Sequence, residues 1–285
     1  MGDSKPPEKL RIAFATPEYV TEHHFDGGLG NYVNRVSKVL ADLGHDVHVV
    51  TLSHQDEAAF EREGVMVHRL TLKRGWQTLN RLTRYSLPTT LHWLNFSTQV
   101  FRKLKQLHRK KPFHLIQYPN YSSCGVFSIP ALRTVHVVRA SSYDPACHDL
   151  SGLKRNLDLT LAERLQTLQY RLTRHVHVPS FAMQTTLSTK IGVRDARVIR
   201  SPFYVETHDW DTSVCERFLK IRNTFSTSVA FNCTKDFTRW FMRCRGFLSG
   251  TRTRTPSSSA ETWKHHSDRQ WLLMQERIVV SLLIG

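Results

Sequence analysis

Apolar positions in this chain fall into two alternating rhythms. Residues 10–15, Leu-Arg-Ile-Ala-Phe-Ala, are apolar except for one arginine and predict a buried strand. Tyr32, Val33, Val36, Val39, Leu40 and Leu43 then recur at helical spacing, and Gly44 stops that helix. A second strand is predicted over 45–51, and further strands over 65–70, 113–118, 135–139, 175–179 and 197–199. Between them lie a helical stretch over 79–107, broken near Pro88, and a long helix over 153–174. In the latter, Leu157, Leu161, Leu165, Leu168 and Leu172 share one stripe. Ser180 is placed to cap a third helix, which runs to Ile191 and is ended by Gly192. Strands alternating with helices predict an α/β class with a doubly wound, mostly parallel sheet.

The most informative local feature lies between the first strand and the first helix: Phe25-Asp26-Gly27-Gly28-Leu29-Gly30-Asn31. Glycines at a helix start let backbone approach a ligand closely, and the free N–H groups with the helix dipole favour an anion there. The spacing does not fit the dinucleotide fingerprint. A polar segment over 17–26 separates strand from glycines, and no acidic residue ends the second strand to hold a ribose. A nicotinamide or flavin site is therefore not expected. The alternative is a glycine-rich helix start with no ligand.

Composition narrows the function classes. The 285 residues suffice for two domains, and 40% hydrophobic content lies in the globular range. Residues 1–9 are polar and no run reaches the ~20 apolar residues of a membrane span, so a cytoplasmic protein is the expectation. The five cysteines show no metal-ligand spacing. The net charge of +16 suits nucleic acid, an anionic membrane face or phosphorylated ligands. No nucleic-acid module is recognisable. The densest basic group, Arg102, Lys103, Lys105, Arg109, Lys110 and Lys111, shares a helix with Val100, Phe101, Leu104 and Leu107. It reads either as a solvated face or as a peripheral contact with anionic lipid.

Residues 10–53 resemble the start of a GT-B glycosyltransferase of family 4, the group related to glycogen and sucrose synthases. The likeness is carried by Arg11-Ile12-Ala13-Phe14, by Gly27-Gly28-Leu29-Gly30, and by the run from Leu40 through Gly44-His45-Asp46-Val47 to Thr51. Tyr118-Pro119-Asn120-Tyr121 with Gly125, Val178-Pro179-Ser180, and Val198-Ile199-Arg200-Ser201-Pro202-Phe203 resemble later stations of the same N-terminal domain, to about Trp210. The resemblance implies a Rossmann-like domain and retaining transfer from a nucleotide sugar without a metal. It also implies a carbohydrate or lipid-linked acceptor held mostly by this first domain. Gly27, Gly28 and Gly30 are then the candidates beside the donor diphosphate or sugar. The acceptor candidates are Glu18 after the first strand, His24 beside His23 in the loop before the glycines, Tyr118 and Asn120 at the fourth predicted strand, and Arg139 ending the next. Arg139 stands where many members carry a histidine. For each a structural role is the alternative: loop packing for Tyr118 and Asn120, an ion pair for Arg139, solvent exposure for His24. No catalytic set is assigned, because the arginine, lysine and glutamates that the family places in its second domain have no counterpart.

From about Phe218 the alternation stops, and 250–259 is rich in Thr, Arg and Ser. The expected organisation is a disordered 1–9, an N-terminal glycosyltransferase domain over 10–210, and over 211–285 a poorly structured basic tail in place of a second Rossmann-like domain. Codon arithmetic suggests why. Read one base earlier, codons for Asn232-Cys233 give Gln-Leu apart from stop codons, and those for Lys235-Asp236-Phe237 can give Lys-Gly-Phe. Residues 223–241 as a whole are compatible with a string containing Phe-Gly-Arg-Leu and Lys-Gly, the opening expected of the second domain. An out-of-frame tail makes this chain a truncated, inactive transferase. The readings from other classes are a single-domain anion-binding protein with a basic tail and a membrane-peripheral scaffold. Resequencing the gene from codon 200 past the stop separates them. The expected result is a second Rossmann-like domain in the shifted frame, and its absence from all frames would end that reading.

Overall fold

The computed structural model describes residues 9–22, 27–142, 145 and 156–200. All lie within one compact unit. The expectations for 1–8, for His23, His24, Phe25 and Asp26, for 153–155 and for 201–285 fall outside them.

Eight strands form one sheet: β1 (Arg11–Thr16), β2 (Asp46–Leu52), β3 (Ala59–Arg62), β4 (Val65–Leu70), β5 (Leu115–Pro119), β6 (Val135–Arg139), β7 (His175–Val178) and β8 (Arg197–Val198). Their order is β3-β4-β2-β1-β5-β6-β7-β8, parallel throughout except for the β3–β4 pair. The helices are α1 (Gly28–Asp42), α2 (Gly75–Leu82), α3 (Pro88–Lys110), the single turn α4 (Ser128–Ala131), α5 (Leu157–Leu172) and α6 (Phe181–Ile191). All six residues of β1 are buried, as a strand covered on both faces requires. Ile12 and Phe14 pack with Val33, Val36 and Leu40 of α1. Ala13 and Ala15, pointing the other way, join Phe96, Val100 and Leu104 of α3. This is the doubly wound sheet that the alternation of elements predicts.

Three local features depart from the sequence reading. The edge strand β3 was not predicted, because its four residues include no buried side chain. It is made by a two-residue hairpin at Glu63-Gly64, with φ of 50° and 76°. Two successive positive φ angles match the twist of the flanking strands. The first long helical stretch starts at Gly75, earlier than predicted, and breaks near Pro88 as expected. Arg84 and Tyr85 adopt positive φ, and Pro88 opens α3, where its missing N–H costs nothing.

The third departure is in α5. Its leucine stripe is not its core face: Leu157 is 64% exposed and Leu168 41%, while Asp158, Ala162, Gln166, Gln169 and Tyr170 turn inward. The buried polar residues explain the rotation. The Asp158 carboxylate accepts hydrogen bonds from the backbone N–H groups of Thr89 and Thr90, at 2.9 and 2.8 Å. It thereby caps α3, whose own N-cap residue, Leu87, offers no side-chain oxygen. These bonds outweigh the effect of burial and hold the Asp158 carboxyl below its usual range. In the basic helix the apolar residues turn inward. Val100 and Leu104 of α3 are buried, and Phe101 and Leu107 pack against the same core. Arg102, Arg109 and Lys110 of the same helix, and Lys111 at its end, are exposed.

Buried histidines gather in the sheet. His48 on β2 and His68 on β4 stack with ring centroids 5.3 Å apart, and His48 Nδ1 meets His68 Nε2 at 3.0 Å. Only one of those nitrogens can carry a proton, so the two rings are not both charged, and His48 Nε2 also lies 3.0 Å from Asp46 Oδ1. Arg11 Nε, 3.1 Å from Asp46 Oδ2, brings a cation beside them. Burial, with the neighbouring Lys103, His48 and Arg11, lowers His68 to about 3. His48 is lowered too, by burial first and then by Arg11. An unfolded histidine binds its proton near pH 6.5. Between there and pH 3 the unfolded state therefore holds more protons, and stability falls as the pH drops. The burden from His68 alone is about 2 kcal/mol at pH 5. Urea unfolding of His68→Gln is expected to show a pH 7 to pH 5 loss smaller by about that amount. An unchanged pH slope would clear His68 of this role.

Candidate functional site

Strand order reverses across β1. From β1 the chain moves outward through β2 to β4, and it returns to β5 on β1's other side. Loops leaving β1 and β5 at their C-terminal ends therefore part in opposite directions and leave a crevice, the usual ligand position in such sheets. Four sequence-predicted elements come to this edge: Glu18 after β1, the glycines opening α1, Asn120 after β5, and Arg139 ending β6.

α1 begins at Gly28 with Gly27 as N-cap, φ −97° and ψ 151°. No side chain of its own caps it, and its first turn holds no acidic residue. Gly28 is exposed, and a β-carbon there would meet nothing within 4 Å. Gly27 differs: a β-carbon would lie 1.9 Å from the Glu18 carboxylate oxygen, so the absence of a side chain lets Glu18 settle against the helix start. Gly30 is buried. Thr16 and Glu18 are tied locally, the Thr16 hydroxyl donating to the Glu18 carbonyl at 2.9 Å.

Arg139 is 6% exposed, and its guanidinium carbon stands 3.7 Å from the ring centroid of Tyr32, one turn into α1. Gln117 Nε2 donates to the Tyr32 hydroxyl at 3.3 Å. Arg139 also donates to Ser141 Oγ. Burial lowers the guanidinium from its ordinary value, and the cation in turn helps burial hold His177, its register partner on β7, at about 3.

Two acceptor candidates are turned elsewhere. Tyr118 is fully buried. Its hydroxyl donates to His136 Nδ1 at 3.2 Å, while His136 Nε2 donates to the Leu132 carbonyl. Strand alternation sends the Tyr118 ring into the core with α3 and α5 rather than into the crevice. Asn120, 1% exposed, works as a clamp: its Oδ1 accepts from Ser141 N at 3.0 Å, and its Nδ2 donates to the Ser142 carbonyl at 3.1 Å. It joins the exits of β5 and β6 and so sets the place of Arg139. Glu18, Gly27, Gly28 and Arg139 are brought to the crevice edge.

Sequence reasoning missed Tyr32, which looked like one more apolar helix position, and Gln169, which carried no signal. Gln169 Oε1 accepts from Gly125 N at 2.7 Å, and its Nε2 donates to the Pro119 carbonyl at 2.8 Å. Between those points Ser122 and Ser123 hold φ of 63° and 48°, a left-handed pair costing about 1–2 kcal/mol each. A β-carbon on Gly125 would lie 2.9 Å from the Tyr118 ring, so glycine alone fits there.

The glycosyl transferase 4-like domain family matches residues 27–203. Searches of curated proteins return no match. Among solved structures, sucrose-phosphate synthase from Thermosynechococcus elongatus aligns at 15% identity and TM-score 0.47, covering 67% of this chain and 48% of that one. UGT2 of Phytolacca americana, complexed with UDP-2fluoro-glucose and pterostilbene, aligns at 10% and 0.45, covering 79% and 62%. An α,α-trehalose-phosphate synthase (UDP-forming) from Burkholderia vietnamiensis aligns at 13% and 0.39, covering 65% and 43%. The chain spans about half the length of the sucrose-phosphate synthase it matches.

The clamp formed by Gln169 is testable. Gln169→Leu leaves a buried N–H and a buried carbonyl without partners, and a loss of about 2–4 kcal/mol in urea unfolding is expected. A loss below about 0.5 kcal/mol would show that the left-handed turn holds without it.

Proposed function

This chain belongs to the glycosyl transferase 4-like family, and we propose that its described residues form the acceptor-side half of a retaining sugar transferase that uses a nucleotide-sugar donor. One observation carries the proposal. The N-terminus of α1, whose N-cap Gly27 has no side chain, and the buried cation of Arg139 lie one helical turn apart, joined by Tyr32, at the switch point of the sheet. Free N–H groups and a guanidinium both favour negative charge.

Sugar transfer releases a nucleoside diphosphate, on which charge grows as the glycosidic bond breaks. Donors already aimed at that charge lower the barrier, because they need no reorganisation. In this reading Gly28 admits the diphosphate or the transferred sugar close to the α1 backbone, where a side chain would stand in the way. Arg139 adds a fixed positive charge one turn deeper. Glu18, held against Gly27, accepts hydrogen bonds from hydroxyls of a carbohydrate or lipid-linked acceptor. Clamps from the second domain are absent from the described residues, so donor affinity is expected to be weak.

Calorimetric titration of the full chain with uridine, guanosine and adenosine diphosphates tests the site. At least one is expected to bind with a Kd of about 1 mM, some 4 kcal/mol. Gly28→Glu places a carboxylate in open space, so folding is not at stake, and affinity is expected to fall about tenfold or more. Binding that this variant leaves untouched, or none by any of the three, would remove the assignment.

A further inference from the structure

Helix α2 is the one α-helix of two or more turns, among those described, that buries none of its residues. It nevertheless carries large apolar side chains. Leu79 is 40% exposed and Leu82 75%, and Tyr85, just past its end, is 63% exposed. At 100° per residue, Gly75, Leu79 and Leu82 fall on one side with Trp76 beside them. Arg74, Gln77 and Arg81 fall on the other, with Thr78 at the border. Lys73 and Arg84 bracket the helix. Such a segregation on a surface helix ordinarily turns the apolar side into the core. Here the apolar side faces water.

The core cannot take this side, because the start of α2 is held in another orientation. Asn95 of α3 accepts from Lys73 N at 3.3 Å and donates to the Lys73 carbonyl at 3.1 Å. Trp76, Gln77 and Asn80 are left over a cavity of about 300 Å³ against Leu91, His92 and Asn95 of α3. Leu79 and Leu82 project beyond it.

Charge identifies the occupant. From Gly64 to Tyr143 the sequence contains no aspartate or glutamate against thirteen lysines and arginines. Lys73 pairs with Glu57 from outside that stretch, at 2.6 Å. Among the described residues no carboxylate pairs with Arg74, Arg81 or Arg84. A second copy of this surface would bring like charges together, and a nucleic acid would leave the leucines unsatisfied. A bilayer with anionic headgroups meets both needs. Hydrocarbon takes Leu79 and Leu82, the headgroup layer suits Tyr85, and arginines reach the lipid phosphates along their alkyl stems. We propose that α2 is an interfacial helix that seats this domain on an anionic membrane surface. It enters with Leu79, Leu82 and Tyr85 and is held by Arg74, Arg81 and Arg84. This assignment moves the membrane contact away from the basic half of α3 and does not depend on the transfer activity proposed above.

Co-sedimentation of the full chain with vesicles provides the test. Vesicles of phosphatidylcholine alone are compared with vesicles containing about one-third phosphatidylserine. Partitioning is expected to be at least about tenfold stronger onto the anionic vesicles and to weaken with salt. Leu79→Glu with Leu82→Glu is expected to reduce it about tenfold or more. Arg74→Ala, Arg81→Ala and Arg84→Ala together are expected to abolish the preference for anionic lipid. Circular dichroism should show both variants folded, since no replaced side chain is buried. Arg102→Ala with Lys105→Ala on α3 should leave partitioning within about twofold. Absence of vesicle binding, or binding that the double glutamate variant retains, would overturn the proposal. A dimer in light scattering that this variant dissolves, without vesicle binding, would also overturn it and assign the surface to self-association.

Discussion

Strand β1 is hydrogen-bonded along both edges, to β2 on one side and β5 on the other, and packed on both faces. A strand so enclosed has no freedom to shift register, because a slip of one residue would exchange its two apolar faces. Everything near the crevice takes its position from that constraint. α1 starts where β1's exit loop delivers it, β5 ends beside it, and β6 brings Arg139 level with the first turn of α1. Short side chains on one face, Ala13 and Ala15, let α3 approach. The larger Ile12 and Phe14 fill the space under α1.

On this frame the irregular segments are held by single polar side chains arriving from distant elements. Asp158 caps α3, Gln169 spans the turn after β5, Asn120 ties two strand exits together, and Asn95 fixes the chain before α2. Each is buried and satisfies backbone groups that the local chain leaves unpaired. These contacts account for two departures from a hydrophobic reading. α5 turns its amides and carboxylate inward and leaves Leu157 and Leu168 outside, and α2 is held with its leucines toward solvent.

Electrostatics divides the domain into unlike ends. At the crevice, a helix N-terminus and a buried guanidinium collect positive potential where anionic ligands bind in sheets of this kind. Among the buried strands, His48 and His68 form a stacked pair beside the Arg11–Asp46 ion pair, and burial disfavours an added proton on either ring. The anionic donor proposed above belongs to the first of these ends, and the membrane contact proposed for α2 to a different surface.

Sequence alone determined the class of the fold, the place of seven of the eight strands, the glycine-opened helix and the caps of α6. Those features are local: apolar period, glycine and serine positions act within a few residues. Gly28 and Arg139 were legible because glycines before a helix and a charge ending an apolar strand are visible one residue at a time. Tertiary structure decided what depends on partners far along the chain. It placed Tyr118 in the core, made Asn120 a clamp, set Tyr32 under Arg139, and chose which face of α5 and of α2 meets water. No period in a sequence records that a carboxylate at position 158 will cap a helix at position 88. The hydrogen-bonding needs of buried backbone, satisfied across such distances, overrode the hydrophobic stripe.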